Sequence, residues 1–370
     1  VKENDVPQDN NKRHLAELGR FGTNPGDLKG WLFLPSILPA NAPLVVVLHG
    51  CTQTAAGYDH GSGWTQLAEQ KSFAVLFAEQ QRSNNQNLCF NWFEAGDIRR
   101  DGGEAGSIRE MIDHVTQSHG LDSSRIFISG LSAGGAMANV MLATYPELFA
   151  GGAIIGGLPY GVSTGVGQAF ERMHGRNPPS SETLAKTMRP VAGSRRVPAV
   201  SIWHGTHDQT VKPVNAEQIA EQWCAAHGLD QAPDRQEAIN EHSRRVWTTP
   251  EGRIAVELVL VKGMAHGVPL AAPSAIPLGN PGPYMLASGI SSTARIAHSW
   301  DLLDAEEMAA FEAPGSSGAP EEEHASGIEA IVAKALNYAA RKSGVNAKPH
   351  LADGVGKVIN DALRKAGLMR

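Results

Sequence analysis

Pro43-Leu44-Val45-Val46-Val47-Leu48-His49-Gly50 is an unbroken apolar, β-branched run closed by a glycine. A strand with one face in water alternates apolar and polar residues, but this run has no polar position before His49. It predicts a strand buried on both faces, as in the middle of a parallel sheet. Residues 72–77 repeat the pattern after a helical stretch at 64–71, and residues 30–35 read as an earlier strand ended by Pro35. In 105–119, Ile108, Met111, Ile112 and Val115 fall on one helical face. A strand at 125–128, a Gly-rich turn and a helix at 136–144 come next. Residues 150–155, 197–203 and 254–261 supply further strands, with a helix at 215–227 between the last two. Strands alternating with helices make βαβ units. The expectation is an α/β fold, a mostly parallel sheet with helices on both faces.

At 370 residues the chain exceeds the usual domain size, but its 42% hydrophobic content is enough for one large core. We read residues 1–20 as a polar lead-in with room for a short helix, and 21–305 as the core. Within it, 158–196 resembles a lid or cap insertion, and 268–289 is a Pro/Gly-rich connection. Loops this long in a compact domain tend to be functional, the alternative being surface decoration. Ala313-Pro314-Gly315-Ser316-Ser317-Gly318-Ala319-Pro320 centres a linker, placed at 306–325. Residues 326–370 carry two apolar stripes, one through Ile328, Ile331, Val332 and Leu336, the other through Val355, Val358, Ile359 and Leu363. They predict a short helical tail that packs on the core, on itself, or in a homo-oligomer.

Lys and Arg number 32 against 38 Asp and Glu, with no basic run, which argues against a nucleic-acid partner. No apolar stretch approaches the roughly 18 residues of a membrane span. No metal-ligand spacing or phosphate loop is present, so neither metal nor cofactor is expected. The chain opens Val1-Lys2-Glu3, which reads as a processed or trimmed end. Three cysteines, Cys51, Cys89 and Cys224, are too few for a disulfide scaffold but permit one bridge.

The chemistry concentrates at Gly130-Leu131-Ser132-Ala133-Gly134-Gly135, between a predicted strand and a predicted helix. That is the setting of a nucleophile elbow, where small neighbours let strand and helix approach while the serine is held exposed and strained. A serine hydroxyl needs a base, and the base an orienting acid, which in α/β hydrolases follow the serine in the order acid, then histidine. Asp208 lies just past a strand end in His204-Gly205-Thr206-His207-Asp208, and His266 follows the last strand between Gly263 and Gly267. His204 and His207 could line the site but precede the acid. His298, His114 and His119 lie on or near helices. Acyl transfer also needs donors for the oxyanion. We expect the backbone N–H of Ala133 and, from the loop after the early strand, that of Cys51. Trp92 and Trp203 could each form an apolar wall for an acyl chain, with core packing as the alternative. The mixed-charge run Asp97, Arg99, Arg100, Asp101 and Glu104 reads as solvated surface or a helix start.

Four motifs occur in order: Leu48-His49-Gly50-Cys51-Thr52-Gln53, Cys89-Phe90-Asn91-Trp92-Phe93, Gly130 to Gly135, and His204 to Asp208. Together, over about residues 20–305, they resemble the esterase family that includes poly(3-hydroxybutyrate) depolymerases and is related to feruloyl and acetylxylan esterases. The resemblance implies an α/β-hydrolase fold, ester hydrolysis without a cofactor, the triad Ser132, Asp208 and His266, and a part for Cys51 in the oxyanion hole. It also brings the Cys51 and Cys89 motifs together, so we expect those two bridged and Cys224 free and buried. A bridge would favour an extracellular or periplasmic setting over the cytoplasm. Secreted polymer-degrading members carry a linker and a β-rich polymer-binding domain, where residues 321–370 here read as a helical tail.

The leading expectation is a hydrolase of hydroxyalkanoate polyesters, oligomers or small esters. A carbohydrate esterase releasing acetate or a ferulate-type acid is the second reading. A serine peptidase and a non-catalytic binding protein are the others, the last opposed by the intact Ser/Asp/His set.

Overall fold

The computed structural model describes residues 15–313. The chain divides into two units, Val1–Gly318 and Ala319–Arg370, and every described residue belongs to the first. Strands β1 (Ala16–Glu17), β2 (Lys29–Phe33) and β3 (Leu44–Leu48) are followed by helices α1 (Ala55–Ser62) and α2 (Trp64–Lys71) and by β4 (Ala74–Glu79). Next come α3 (Gly103–His119), β5 (Ile126–Leu131), α4 (Ala133–Thr144) and β6 (Gly151–Ile155). Three short helices occupy the insertion: α5 (Val166–Met173), α6 (Ser181–Thr187) and α7 (Arg189–Ala192). Then follow β7 (Ala199–Gly205), α8 (Val214–His227), β8 (Arg235–Ile239), β9 (His242–Thr248) and β10 (Ile254–Val261). A small pair, β11 (Val268–Leu270) and β12 (Met285–Ala287), precedes α9 (Ser292–Ser299) and α10 (Ala305–Glu312).

Ten strands form one sheet in the order β1-β2-β4-β3-β5-β6-β7-β10-β9-β8. The six from β4 to β10 are parallel, and the edges are antiparallel. All five residues of β3 are fully buried, as its unbroken apolar run requires. Leu44, Val46 and Leu48 point into a core shared with α3, α4 and α8, while Val45 and Val47 point into one shared with α1, α2 and α9. The sheet is thus covered on both faces, each buried aliphatic side chain contributing roughly 1.5–3 kcal/mol. From β3 the chain steps to β4, then crosses back to put β5 on β3's other side. In open α/β sheets such a reversal marks where ligands bind, beyond the carboxyl ends of the strands on either side, here β3 and β5.

Three boundaries differ from expectation. Within the lead-in, Ala16 and Glu17 pair with β2 and extend the sheet. The core does not end at residue 305, because 306–312, assigned to the linker, are helical. Asp304 and Glu307 cap α10 reciprocally, Phe311 is buried, and Arg295 and Lys71 pair with Glu312 and Glu307. The linker's remaining residues 314–325 and the tail lie outside the described residues. Third, the connection after His266 is not all loop, since β11 and β12 run parallel within it.

Candidate active site

Ser132 stands between β5 and α4 with φ 58° and ψ −120°, a conformation non-glycine residues rarely adopt. Its backbone N–H donates to Ile155 O at 2.8 Å, tying the elbow to the end of β6. On the other side, a Cβ at Gly134 would lie 2.3 Å from Leu48 O and 2.4 Å from His49 O. Only glycine lets α4 start against the end of β3. The close approach carries the His49-Gly50-Cys51 loop to the elbow, where Gly50 packs against Leu131.

The loops after β7 and β10 are fastened to each other. Thr206 N–H donates to Val261 O, His207 N–H to Met264 O, and Gly263 N–H to Thr206 Oγ1 at 2.9 Å. They bring Asp208 and His266 together: His266 Nδ1 lies 2.6 Å from Asp208 Oδ2. A carboxylate only accepts, so Nδ1 donates and Nε2 is the nitrogen left to take a proton. The imidazole lies over Gly156, where a Cβ would sit 3.1 Å from His266 Cε1. Gly156 follows Ile155, whose carbonyl holds Ser132. Ser132, Asp208 and His266 therefore converge on one β6 terminus.

Asp208 Oδ1 accepts from Thr210 N–H and Val211 N–H, both at 2.9 Å, and Oδ2 accepts from His266 at 2.6 Å and lies 3.3 Å from His204 Nε2. Burial alone would raise its pKa, but hydrogen bonds from His204 and His266 outweigh it and hold the carboxyl well below the usual range. Asp208 stays ionised. Ala133 opens α4, and first-turn N–H groups of a helix have no acceptor within it, so this end favours a developing negative charge. Cys51 is bonded to Cys89, closing a separation of 38 residues, and Thr52 N–H donates to Asn87 O at 2.7 Å. The bridge joins the β3 loop to the loop after β4. Cys224 is free and buried, and burial pushes its thiol up to about 12.

The two tryptophans do not form an acyl wall. Trp203 is 1% exposed, its side chain lies in the core, and its indole N–H donates to Ser201 Oγ at 2.8 Å. Trp92 is 5% exposed and packs edge-on to Phe93. In both, core packing prevails, because a large ring beside a sheet terminus buries more apolar area inward than at a rim.

Glu104, read as solvated surface or a helix start, stands in the first turn of α3 and is 1% exposed. Its carboxyl accepts from Gln80 Nε2, from Asn91 N–H at 2.8 Å and from Asn91 Nδ2 at 2.8 Å. Gln80 also donates its backbone N–H to His49 Nε2 and its side-chain amide to Cys89 O. Glu104 therefore supports both bridged loops from below. The signal was in the sequence, since Glu104 lies on the α3 stripe with Ile108, Met111, Ile112 and Val115.

Comparison with known proteins bears on the same architecture. Residues 30–247 match the family model described as "Esterase PHB depolymerase", a span that includes Ser132 and Asp208. The chain is 42% identical over 293 residues to poly(3-hydroxyalkanoate) depolymerase C of Paucimonas lemoignei, covering 78% of this chain and 70% of that one. It is 31% identical over 265 residues to acetylxylan esterase A of Aspergillus oryzae, covering 69% and 84%. The solved acetyl xylan esterase from Aspergillus awamori superposes with TM-score 0.63 at 28% identity, covering 68% of this chain and 94% of that one.

Proposed function

Because the chain belongs to the esterase PHB depolymerase family of α/β-hydrolase carboxylic-ester hydrolases, we propose that it cleaves hydroxyalkanoate esters, as polyester, oligomers or small esters, through an acyl-enzyme on Ser132. The observation that carries this reading is the relay from Asp208 to His266 over the β6 terminus that also holds Ser132. His266 Nε2 takes the hydroxyl proton as Ser132 Oγ attacks the ester carbonyl, and ionised Asp208 stabilises the imidazolium. The N–H groups of Ala133 and Cys51 receive the oxyanion. Collapse of the tetrahedral intermediate expels the alcohol, protonated by His266. Water activated by the same imidazole then releases the acid.

The identity to a poly(3-hydroxyalkanoate) depolymerase supports a hydroxyalkanoate acyl group. A second reading, an acetyl ester on xylan, is supported by the acetylxylan esterase relatives and the shared structure. Initial rates on hydroxybutyrate oligomers and acetylated xylan separate the two. Our reading expects kcat/KM at least tenfold higher on the oligomers, and the reverse order would replace it. The Cys51–Cys89 bridge supports an oxidising, extracellular or periplasmic setting.

Residues 321–370 act in this reading as an interaction element, in a homo-oligomer or on a polymer surface. Truncation after Ala319 should leave kcat on a small soluble ester within a few-fold while changing association state or polymer adsorption. A folded truncation that loses the small-ester activity would overturn this division.

A further inference from the structure

The end of β7 carries a histidine that the triad chemistry does not use. His204 is fully buried, and its Nε2 lies 2.7 Å from Val211 O and 3.3 Å from Asp208 Oδ2. Both neighbours are acceptors, so this nitrogen carries a proton; a bare nitrogen there would face two oxygens with lone pairs on every side. Nδ1 is buried with no hydrogen-bond partner among the described residues, so Nε2 is the nitrogen through which the ring bonds. Val211 is held at both ends of its peptide. Its N–H donates to Asp208 Oδ1 at 2.9 Å, and its carbonyl accepts from His204. These two bonds tie the strand end, the acid and the loop beyond it together, and Oδ2 lies within 3.3 Å of both imidazoles.

We propose that His204 is a positioning residue for the acid: its Nε2–H bridges Val211 O and Asp208 Oδ2 and turns that oxygen toward His266 Nδ1. The proposal rests on the assignment of Asp208 and His266 as acid and base. Without the bridge, the carboxylate keeps its two loop N–H donors on Oδ1 but loses the restraint that fixes Oδ2. His266 then loses its orientation over the elbow. Misplacement of a catalytic group by about 1 Å can cost on the order of 100-fold in rate.

Three measurements test this. In the wild-type protein, 15N-histidine NMR should report His204 as the Nε2–H tautomer, and a proton on Nδ1 alone would overturn the proposal with no mutant needed. His204→Ala should lower kcat on p-nitrophenyl butyrate by about 10- to 100-fold, with KM within about threefold. It should also move the low-field resonance of the His266 Nδ1 proton. His204→Gln, whose amide N–H can reach the same two oxygens, should restore kcat to within about fivefold of wild type and return that resonance. Wild-type kcat in a folded His204→Ala protein overturns the proposal. So does a folded His204→Gln protein as impaired as alanine, because the ring would then matter only as packing. Failure of the triad reading looks different, since Ser132→Ala or His266→Ala would retain turnover whatever the His204 tautomer.

Discussion

Replacing Glu104 by glutamine should make the protein more stable relative to wild type as the pH rises. The carboxyl is buried beneath the two bridged loops, and burial, with Asp97 nearby, pushes it up to about 8 against donors on Asn91 and Gln80 that pull it down. Between pH 4.5, the ordinary value, and about 8, the folded chain holds a proton that the unfolded chain has released. Stability from this group is therefore fully present below about pH 4.5 and is lost as pH rises toward 8. At about 1.36 kcal/mol per pH unit, the loss across that window is on the order of 5 kcal/mol. Glutamine keeps the shape and one accepting oxygen but cannot ionise. Urea unfolding of both proteins at intervals from pH 5 to pH 9 measures the difference. It should grow steadily in favour of Glu104→Gln and level off above pH 8. A difference independent of pH, or one that grows in favour of wild type, would refute the reasoning and mean that the three N–H donors hold Glu104 ionised throughout.

Thiol titration of the denatured, unreduced protein should find one free cysteine, Cys224, and reduction should release three; three before reduction would remove the bridge from the account. Reducing the bridge should cost roughly 4 kcal/mol, the loop-closure value for a separation of about 38 residues, measured by denaturant unfolding with and without reductant. Gly134→Ala places a methyl 2.3 Å from Leu48 O, a backbone atom that moves only with β3. It should destabilise by about 1–3 kcal/mol and cut kcat at least about 100-fold by displacing the oxyanion loop; near-normal turnover would mean the elbow tolerates the shift.

The sheet was legible because its central strands are buried on both faces, so apolar residues dominate their runs, unbroken in β3 and interrupted only singly by Ser129 in β5, by Ser201 and His204 in β7 and by Glu257 in β10. The residues of the Asp208–His266 relay were legible for a related reason, since both follow such strands directly. What stayed hidden depends on pairing across distance. β8 is an exposed edge strand, Arg235-Gln236-Glu237-Ala238-Ile239, with no alternation to mark it. It is held by β9 and by the ion pair of Arg244 with Glu237. The tryptophans misled because a residue next to a site in sequence can point away from it: Trp203 adjoins His204, yet its ring fills the opposite core. Glu104 was obscured by its charged neighbours, although its place on the α3 stripe marked it as inward. His204 precedes the acid by four positions, and only the turn through Val211 reveals that it reaches the carboxylate.

Whether ester turnover runs through Ser132 is measured most directly by kcat of Ser132→Ala on p-nitrophenyl butyrate and on hydroxybutyrate oligomers. The change removes one hydroxyl from a half-buried position, so circular dichroism and unfolding should match wild type. A loss on the order of a million-fold is expected on both substrates. A folded variant that keeps more than about a tenth of the wild-type rate on either would contradict the assignment of Ser132 as nucleophile.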